Sequence, residues 1–171
     1  GGPLVYSLTG NKNDYSAAIP TGTNVGSYTV YYYVQGNANY NGTEAQSVTA
    51  VIGNALAEVT EAPTANTLTY TGEAQALVAE GTADGGDMMY RLGNSGDFSE
   101  QIPTGTNAGE YSVYYKVQGD KDHNDTEPVE VTVTIAKADP EVTAPVPVTG
   151  LTYTGDEHEL ITAGTTTGGT P

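Results

Sequence analysis

The sequence repeats itself with a period of 83 residues. Ile19-Pro20-Thr21-Gly22-Thr23-Asn24 returns as Ile102-Pro103-Thr104-Gly105-Thr106-Asn107. Leu68-Thr69-Tyr70-Thr71-Gly72 returns at the same offset as Leu151-Thr152-Tyr153-Thr154-Gly155. Gly26-Ser27-Tyr28-Thr29-Val30-Tyr31-Tyr32 matches Gly109-Glu110-Tyr111-Ser112-Val113-Tyr114-Tyr115. A single short match can arise by chance, but several at one offset cannot. The period fixes the scale of the folding unit. A chain of 171 residues has room for two such units, since ordinary domains take roughly 100–150 residues each.

Inside the unit the apolar pattern has a period of two. Tyr111, Val113, Tyr115 and Val117 alternate with Ser112, Tyr114, Lys116 and Gln118. Val129, Val131, Val133 and Ile135 alternate with Glu130, Thr132 and Thr134. Successive side chains of a strand point to opposite faces, so these runs predict strands with one core face and one wet face. Gly, Asn, Asp and Pro cluster between them as turns. No segment of useful length carries a helical period. The expected class is all-β, with about seven strands per 83 residues, the size of one small sandwich. With one Phe, no Trp and 13 Tyr, Tyr is the main large core-filler beside Val and Leu.

Gly26 and Gly109 each stand two residues before a Tyr that opens a strand, in Asn24-Val25-Gly26-Ser27-Tyr28 and Asn107-Ala108-Gly109-Glu110-Tyr111. This arrangement resembles the tyrosine corner of immunoglobulin-like folds, in which a Tyr near the start of strand F bonds back to the preceding turn. Tyr28 and Tyr111 are the expected corner residues. Val30 and Val113 then stand where antibody domains place the second Cys. In the middle copy, strand G is expected near Val129–Ala136, strand C near Asp87–Leu92 and strand B near Gln75–Glu80. Strand A is expected near Val59–Ala62, with Leu68–Tyr70 as its second half or a small extra strand.

The run from Gly109 to Asp120, ending in Val131-Thr132-Val133-Thr134-Ile135-Ala136-Lys137-Ala138, resembles the bacterial immunoglobulin-like repeats of the MBG type. The Leu-Thr-Tyr-Thr-Gly segments fit the same family. The resemblance covers essentially the whole chain. It implies tandem immunoglobulin-like sandwiches in a long, exported surface protein, mostly of Gram-positive bacteria, acting as a stalk or adhesin at the cell surface or wall. That family has no catalytic residues to carry over, and no cofactor is implied.

The repeat is cut in mid-unit. Gly1-Gly2 sits at the position of Gly85-Gly86 and of Gly168-Gly169, between strands B and C. Residues 1–54 therefore hold strands C to G of one copy, residues 58–137 a complete copy, and residues 141–171 strands A and B of a third. Half a sandwich exposes its core face and unpaired edges. The linkers, Asn54–Ala57 and Ala138–Asp139, are too short to return one end of an array to the other, since strands of eight to ten residues separate its poles by roughly 30 Å. The expected partner is a neighbouring copy of the chain, joined head-to-tail, with A and B of one completing C to G of the next.

Little else in the sequence carries chemistry. Five basic against 21 acidic residues give a net charge of -16, which repels nucleic acid and anionic membrane. No apolar run approaches the roughly 20 residues that span a bilayer. With no Cys there are no disulfides or thiolate metal sites. His123 and His158 have no counterparts in the other copies and are expected in turns. Lys116 maps to Tyr33 and Lys137 to Asn54, so no repeated Lys supports an intramolecular isopeptide bond. Asp120, Asp122, Asn124 and Glu127 have the opening spacing of a calcium loop, but the later bidentate Glu is replaced by Val131. An Asx-rich turn between strands F and G is the simpler expectation. The sequons at Asn41 and Asn124 carry little meaning in a bacterial chain. Tyr31, Tyr33 and Tyr114 should point away from the core of their own sheet. They would pack across strands there, or stack on a neighbouring domain or on a host glycan or protein.

Overall fold

The computed structural model describes residues 1–168, and Gly169–Pro171, the end of the expected third copy, lie outside the described residues. The described chain is all-β and contains no helix. It divides into two compact units. One comprises Gly1–Ala62, Gly81–Met89 and Lys116–Val129. The other comprises Pro63–Glu80, Tyr90–Tyr115 and the described residues from Glu130 onward.

In the first unit, β1 (Leu4–Ser7), β2 (Gly26–Val34) and β3 (Gln46–Ile52) form one antiparallel sheet in the order β1-β2-β3. The long β2 is its centre. Val5 lies opposite Tyr33 and Ser7 opposite Tyr31, while Tyr28 faces Ala50 and Val30 faces Val48. Two short strands follow, β4 (Ala55–Leu56) and β5 (Glu58–Glu61).

The second unit begins with β6 (Leu68–Thr69) and β7 (Gln75–Ala76). Next along the chain come β8 (Thr82–Asp84), which lies in the first unit, β9 (Gly86–Leu92), β10 (Thr104–Gly105), β11 (Gly109–Gly119), β12 (His123–Asn124), again in the first unit, and β13 (Val129–Ala136). Strands β9, β11 and β13 contribute residues to both units. The main sheet runs β6-β13-β11-β9. Its outermost pair is parallel, with Leu68 beside Ile135 and Thr69 beside Ala136. Separate antiparallel pairs join β5 to β8 and β7 to β10. Leu77, Val78, Tyr90, Val113, Tyr115, Val133 and Ile135 are buried in this second unit. The alternation in β11 and β13 places Val113, Tyr115, Val133 and Ile135 on the core side, as side chains two apart share one face.

The chain ends in β14 (Glu141–Thr143), β15 (Val146–Pro147), β16 (Ile161–Thr162) and β17 (Thr165–Thr167). β14 pairs with β17 and β15 with β16, both antiparallel. The pairing Glu141 with Thr167 repeats that of Glu58 with Asp84, one period earlier.

The expected strand B, one run over Gln75–Glu80, is divided. β7 pairs with β10, Val78 bridges to Ala65, and β8 pairs with β5. The segment changes partner along its length, so the ladder is interrupted between the two pairings. The first copy also carries one extra residue just after β1. Tyr6 bridges to Ser16 as Tyr90 bridges to Ser99. These matches need offsets of 84 and 83, and Thr9 is the residue taken up before the shared Gly10 and Gly93.

Candidate functional site

The conformation at the start of the long strands is set by two glycines. Gly26 and Gly109 have φ of 149° and 154°, a region that side-chain-bearing residues rarely adopt. The turn they make brings each following Tyr back over the loop. Tyr28 Oη donates to the Asn24 carbonyl at 2.7 Å, and Tyr111 Oη donates to the Asn107 carbonyl at 2.8 Å. Beneath each ring lies a glycine of the repeated Thr-Gly-Thr-Asn segment. A methyl at Gly22 would lie 2.8 Å from Tyr28 Cζ. One at Gly105 would lie 2.9 Å from Tyr111 Cζ, 3.0 Å from Leu77 Cδ2 and 3.1 Å from Ile135 Cδ1. The two corners are thus built alike, with a tyrosine ring packed over a glycine in each.

The copies differ in exposure along the sheet face. Leu77 and Val78 are 0% and 1% exposed, whereas their counterparts one period later, Leu160 and Ile161, are 69% and 52% exposed. Val113 and Ile135 are buried, whereas Val30 and Ile52 are half-buried. Val131 is half-buried and Val48 exposed. The apolar side chains of residues 26–52 and 141–167 are thus more exposed than their counterparts in the middle copy.

The other face of the front sheet is covered locally. Tyr33 packs edge-on against Tyr15, with ring centroids 4.8 Å apart. Val5 and Ser7, opposite Tyr33 and Tyr31 in the ladder, are buried. Lys12, Thr43 and Glu44 line a shallow groove with Tyr15 and Tyr33. In the middle copy Arg91 takes over this face. Its guanidinium stands 4.5 Å from the Phe98 ring centroid and 5.3 Å from that of Tyr114. It also donates to the carbonyls of Gly93 and Gly96. A hydrogen bond to Glu130 holds the Tyr114 phenol above its ordinary pKa. Arg91 was not among the sequence candidates, because Ser7 stands at its place in the first copy and no repeat marks it.

The turn between β11 and β13 is an internally bonded hairpin. Asp120 Oδ1 accepts from the Asp122 amide at 2.9 Å and lies 2.7 Å from His123 Nδ1. The His123 contact is the main cause of a lowered Asp120 pKa. Asp122 is ion-paired with Lys121, which raises the pKa of that lysine. Asp125 Oδ2 is 2.5 Å from Lys116 Nζ, and its other oxygen accepts from the Gly119 amide at 3.0 Å. The lysine holds the Asp125 carboxyl below its usual range. These bonds turn Asp120, Asp122 and Asp125 toward hairpin partners. Asn124 lends its backbone to a strand, and Asn124 and Glu127 join no cation cage with the aspartates. Among the described residues no three His, Cys, Asp or Glu side chains converge as metal ligands. His158 lies 3.1 Å from Thr154 Oγ1, within its own exposed turn.

The linker between the first two copies is itself paired. β4 runs parallel to β12, with Ala55 beside His123 and Leu56 beside Asn124. The Ala55 amide donates to the Asp122 carbonyl and the Ala57 amide to the Asn124 carbonyl, each at 3.0 Å. Asn54 Nδ2 donates to the Lys121 carbonyl at 3.2 Å. Ala57 is buried. Nothing in the apolar pattern of two residues could have announced this strand.

Comparison of the chain with known protein families, with characterised proteins and with solved structures returns no match.

Proposed function

We propose that this chain is a non-catalytic structural repeat of a secreted bacterial surface protein. It acts as a stalk or fibre of immunoglobulin-like sandwiches of the MBG type, with head-to-tail strand complementation between neighbouring copies. The observation that carries this is one three-stranded antiparallel arrangement built twice, β1-β2-β3 and β9-β11-β13, one sequence period apart. The immunoglobulin-like assignment is supported by strand neighbours. The strands at the places expected of C, F and G, β1-β2-β3 and β9-β11-β13, lie side by side in both sheets, while β5 pairs with β8 and β7 with β10 outside them. The paired corners at Tyr28 and Tyr111 support it further.

The energetic argument is one of sufficiency. Burying a Leu, Ile or Val side chain is worth about 1.5–3 kcal/mol. Association costs about 4–15 kcal/mol in lost freedom. Leu160 and Ile161 alone offset the lower part of that range. Val30, Val48 and Ile52 on the receiving face, with the new backbone ladders, supply the rest. Sedimentation equilibrium of the 171-residue chain tests the proposal. The apparent mass is expected to rise with concentration, and a monomer across the whole accessible range would overturn complementation.

A second function, adhesion to host glycan or protein, is favoured by one feature. The Tyr15–Tyr33 pair beside Lys12 and Glu44 occurs in the first copy alone, where the middle copy has Phe98, Lys116 and Ser95. A glycan-array screen, with Tyr33→Ala as the control, decides it.

A further inference from the structure

We infer that the outer face of the β1-β2-β3 sheet carries a carbohydrate subsite, a groove that takes one neutral pyranose unit of a glycan; this rests on the adhesion reading above. The ladder register builds it. Tyr33 lies opposite Val5 and Tyr31 opposite Ser7, and Tyr31 lies opposite Ser47 on its other side. Residues directly opposite in a ladder share a face, so Ser7, Tyr31 and Ser47 make one row across the sheet. Tyr33 stands in the next row, beside the buried Val5. In the middle copy the corresponding positions are filled with charge. Arg91 and Glu130 stand at the places of Ser7 and Ser47. Arg91 covers the Phe98 and Tyr114 rings, and Glu130 bonds the Tyr114 phenol. The first copy has two short serines instead, so neither arm reaches over its rings.

The groove's lining fits a sugar. Lys12, Tyr15, Tyr33, Thr43 and Glu44 border a space of about 420 Å³, within the roughly 300–1,000 Å³ of small-molecule sites. Tyr15 meets Tyr33 at an interplanar angle of 72°, so the two rings form an angled wall. Gly10 keeps the floor low, since a methyl there would lie 3.3 Å from the Tyr31 ring. The ion pairs among the described residues involve Lys116, Lys121 and His123, and none takes up Lys12 or Glu44. A pyranose has a C–H face that packs on aromatic carbon and a rim of hydroxyls that donate and accept. Tyr15 and Tyr33 supply the aromatic surface, Glu44 accepts from hydroxyls and Lys12 donates to them. One group of each sign matches an uncharged ring. The net charge of -16 works against a sialic or uronic acid. The middle copy has Ser95, Phe98 and Lys116 in place of Lys12, Tyr15 and Tyr33, with Lys116 turned to Asp125. The subsite therefore belongs to the first copy.

Saturation-transfer NMR of the full chain with methyl glycosides tests this. The neutral probes are the β-galactoside, the β-glucoside, the α-mannoside and the N-acetyl-β-glucosaminide, and the α-sialoside is the anionic comparison. Saturation is expected on the ring C–H protons of at least one neutral glycoside and not on the sialoside. Tyr33→Lys installs the residue of the middle copy and should abolish the signal. Glu44→Gln, at an exposed position, should weaken binding about tenfold, as loss of one charge-assisted hydrogen bond does. Lys12→Ser, also exposed, should weaken it without touching the aromatic wall, and it carries the test if Tyr33→Lys disturbs the fold. No signal from any neutral glycoside, a signal unchanged in all three variants, or preference for the sialoside would overturn the subsite. Binding of the parent chain to a glycan array or a host protein that survives Tyr33→Lys would overturn the subsite and leave the adhesion reading standing. A chain that binds no glycan and no host protein would overturn both.

Discussion

Tyr111 and Gly105 occupy one space: a methyl on Gly105 would lie 2.9 Å from Tyr111 Cζ. The ring can take its place over the loop, with its hydroxyl on the Asn107 carbonyl, only because the glycine has no side chain. Gly105→Ala forces the ring, Leu77 or Ile135 to move and should destabilise the middle copy by roughly 1–3 kcal/mol. Tyr111→Phe keeps the ring and loses the hydrogen bond, at a cost of about 0.5–1.5 kcal/mol. Urea unfolding of the two variants checks both values.

The Lys116–Asp125 pair makes a pH-dependent contribution. The lysine lowers the Asp125 pKa in the folded chain. A depressed carboxyl stabilises the fold above its unfolded pKa and loses that effect as pH falls through the folded value. Asp125→Asn keeps an acceptor for the Gly119 amide and removes the charge. It should therefore lower the melting temperature near neutral pH. The difference from the parent chain should shrink as pH falls below the ordinary carboxylate range and through the lowered pKa of the folded chain. Melting curves across that range give the measurement.

The two equivalent leucines should respond in opposite ways. Leu77→Ala removes a fully buried side chain and should cost about 2–5 kcal/mol in unfolding. Leu160→Ala changes an exposed residue and should leave the unfolding of a dilute sample nearly unchanged. It should instead weaken association. Parallel urea unfolding and sedimentation of the two variants separate the effects.

The paired linker should be slow to exchange. The Ala55 and Ala57 amides are both bonded to the β11–β13 turn. Hydrogen exchange by NMR should show them protected, unlike ordinary linker amides. Ala57→Pro removes one of these donors and should speed exchange at Ala55. The next linker carries Pro140 at the place of Ala57. It has no amide hydrogen there, so a junction formed through it can make only one of the two backbone bonds.

Strong alternation made some elements legible. The Val129–Ala136 run is a strand over those same residues, because four apolar side chains in register leave one face to bury. The Gly-Xaa-Tyr starts of β2 and β11 were legible because a glycine and a tyrosine at fixed spacing leave few backbone solutions. Partner choice was not legible. The Gln75–Glu80 segment has a strand's composition, yet its division between β10 and Ala65 depends on residues distant in the sequence. The pairing of Ala55–Leu56 escaped for the same reason, since two small residues carry no period. Arg91 escaped because its role comes from Phe98 and Tyr114, which tertiary folding alone brings to it.

The central proposal is that neighbouring copies of this repeat pair head-to-tail through their strands. Sedimentation equilibrium of the parent chain beside Leu160→Asp tests it most directly. A charge at that position would have to be buried without a partner on docking, which association does not tolerate. The account predicts a mass that climbs with concentration for the parent and a monomer for the variant at every concentration. Equal masses for the two chains would contradict it.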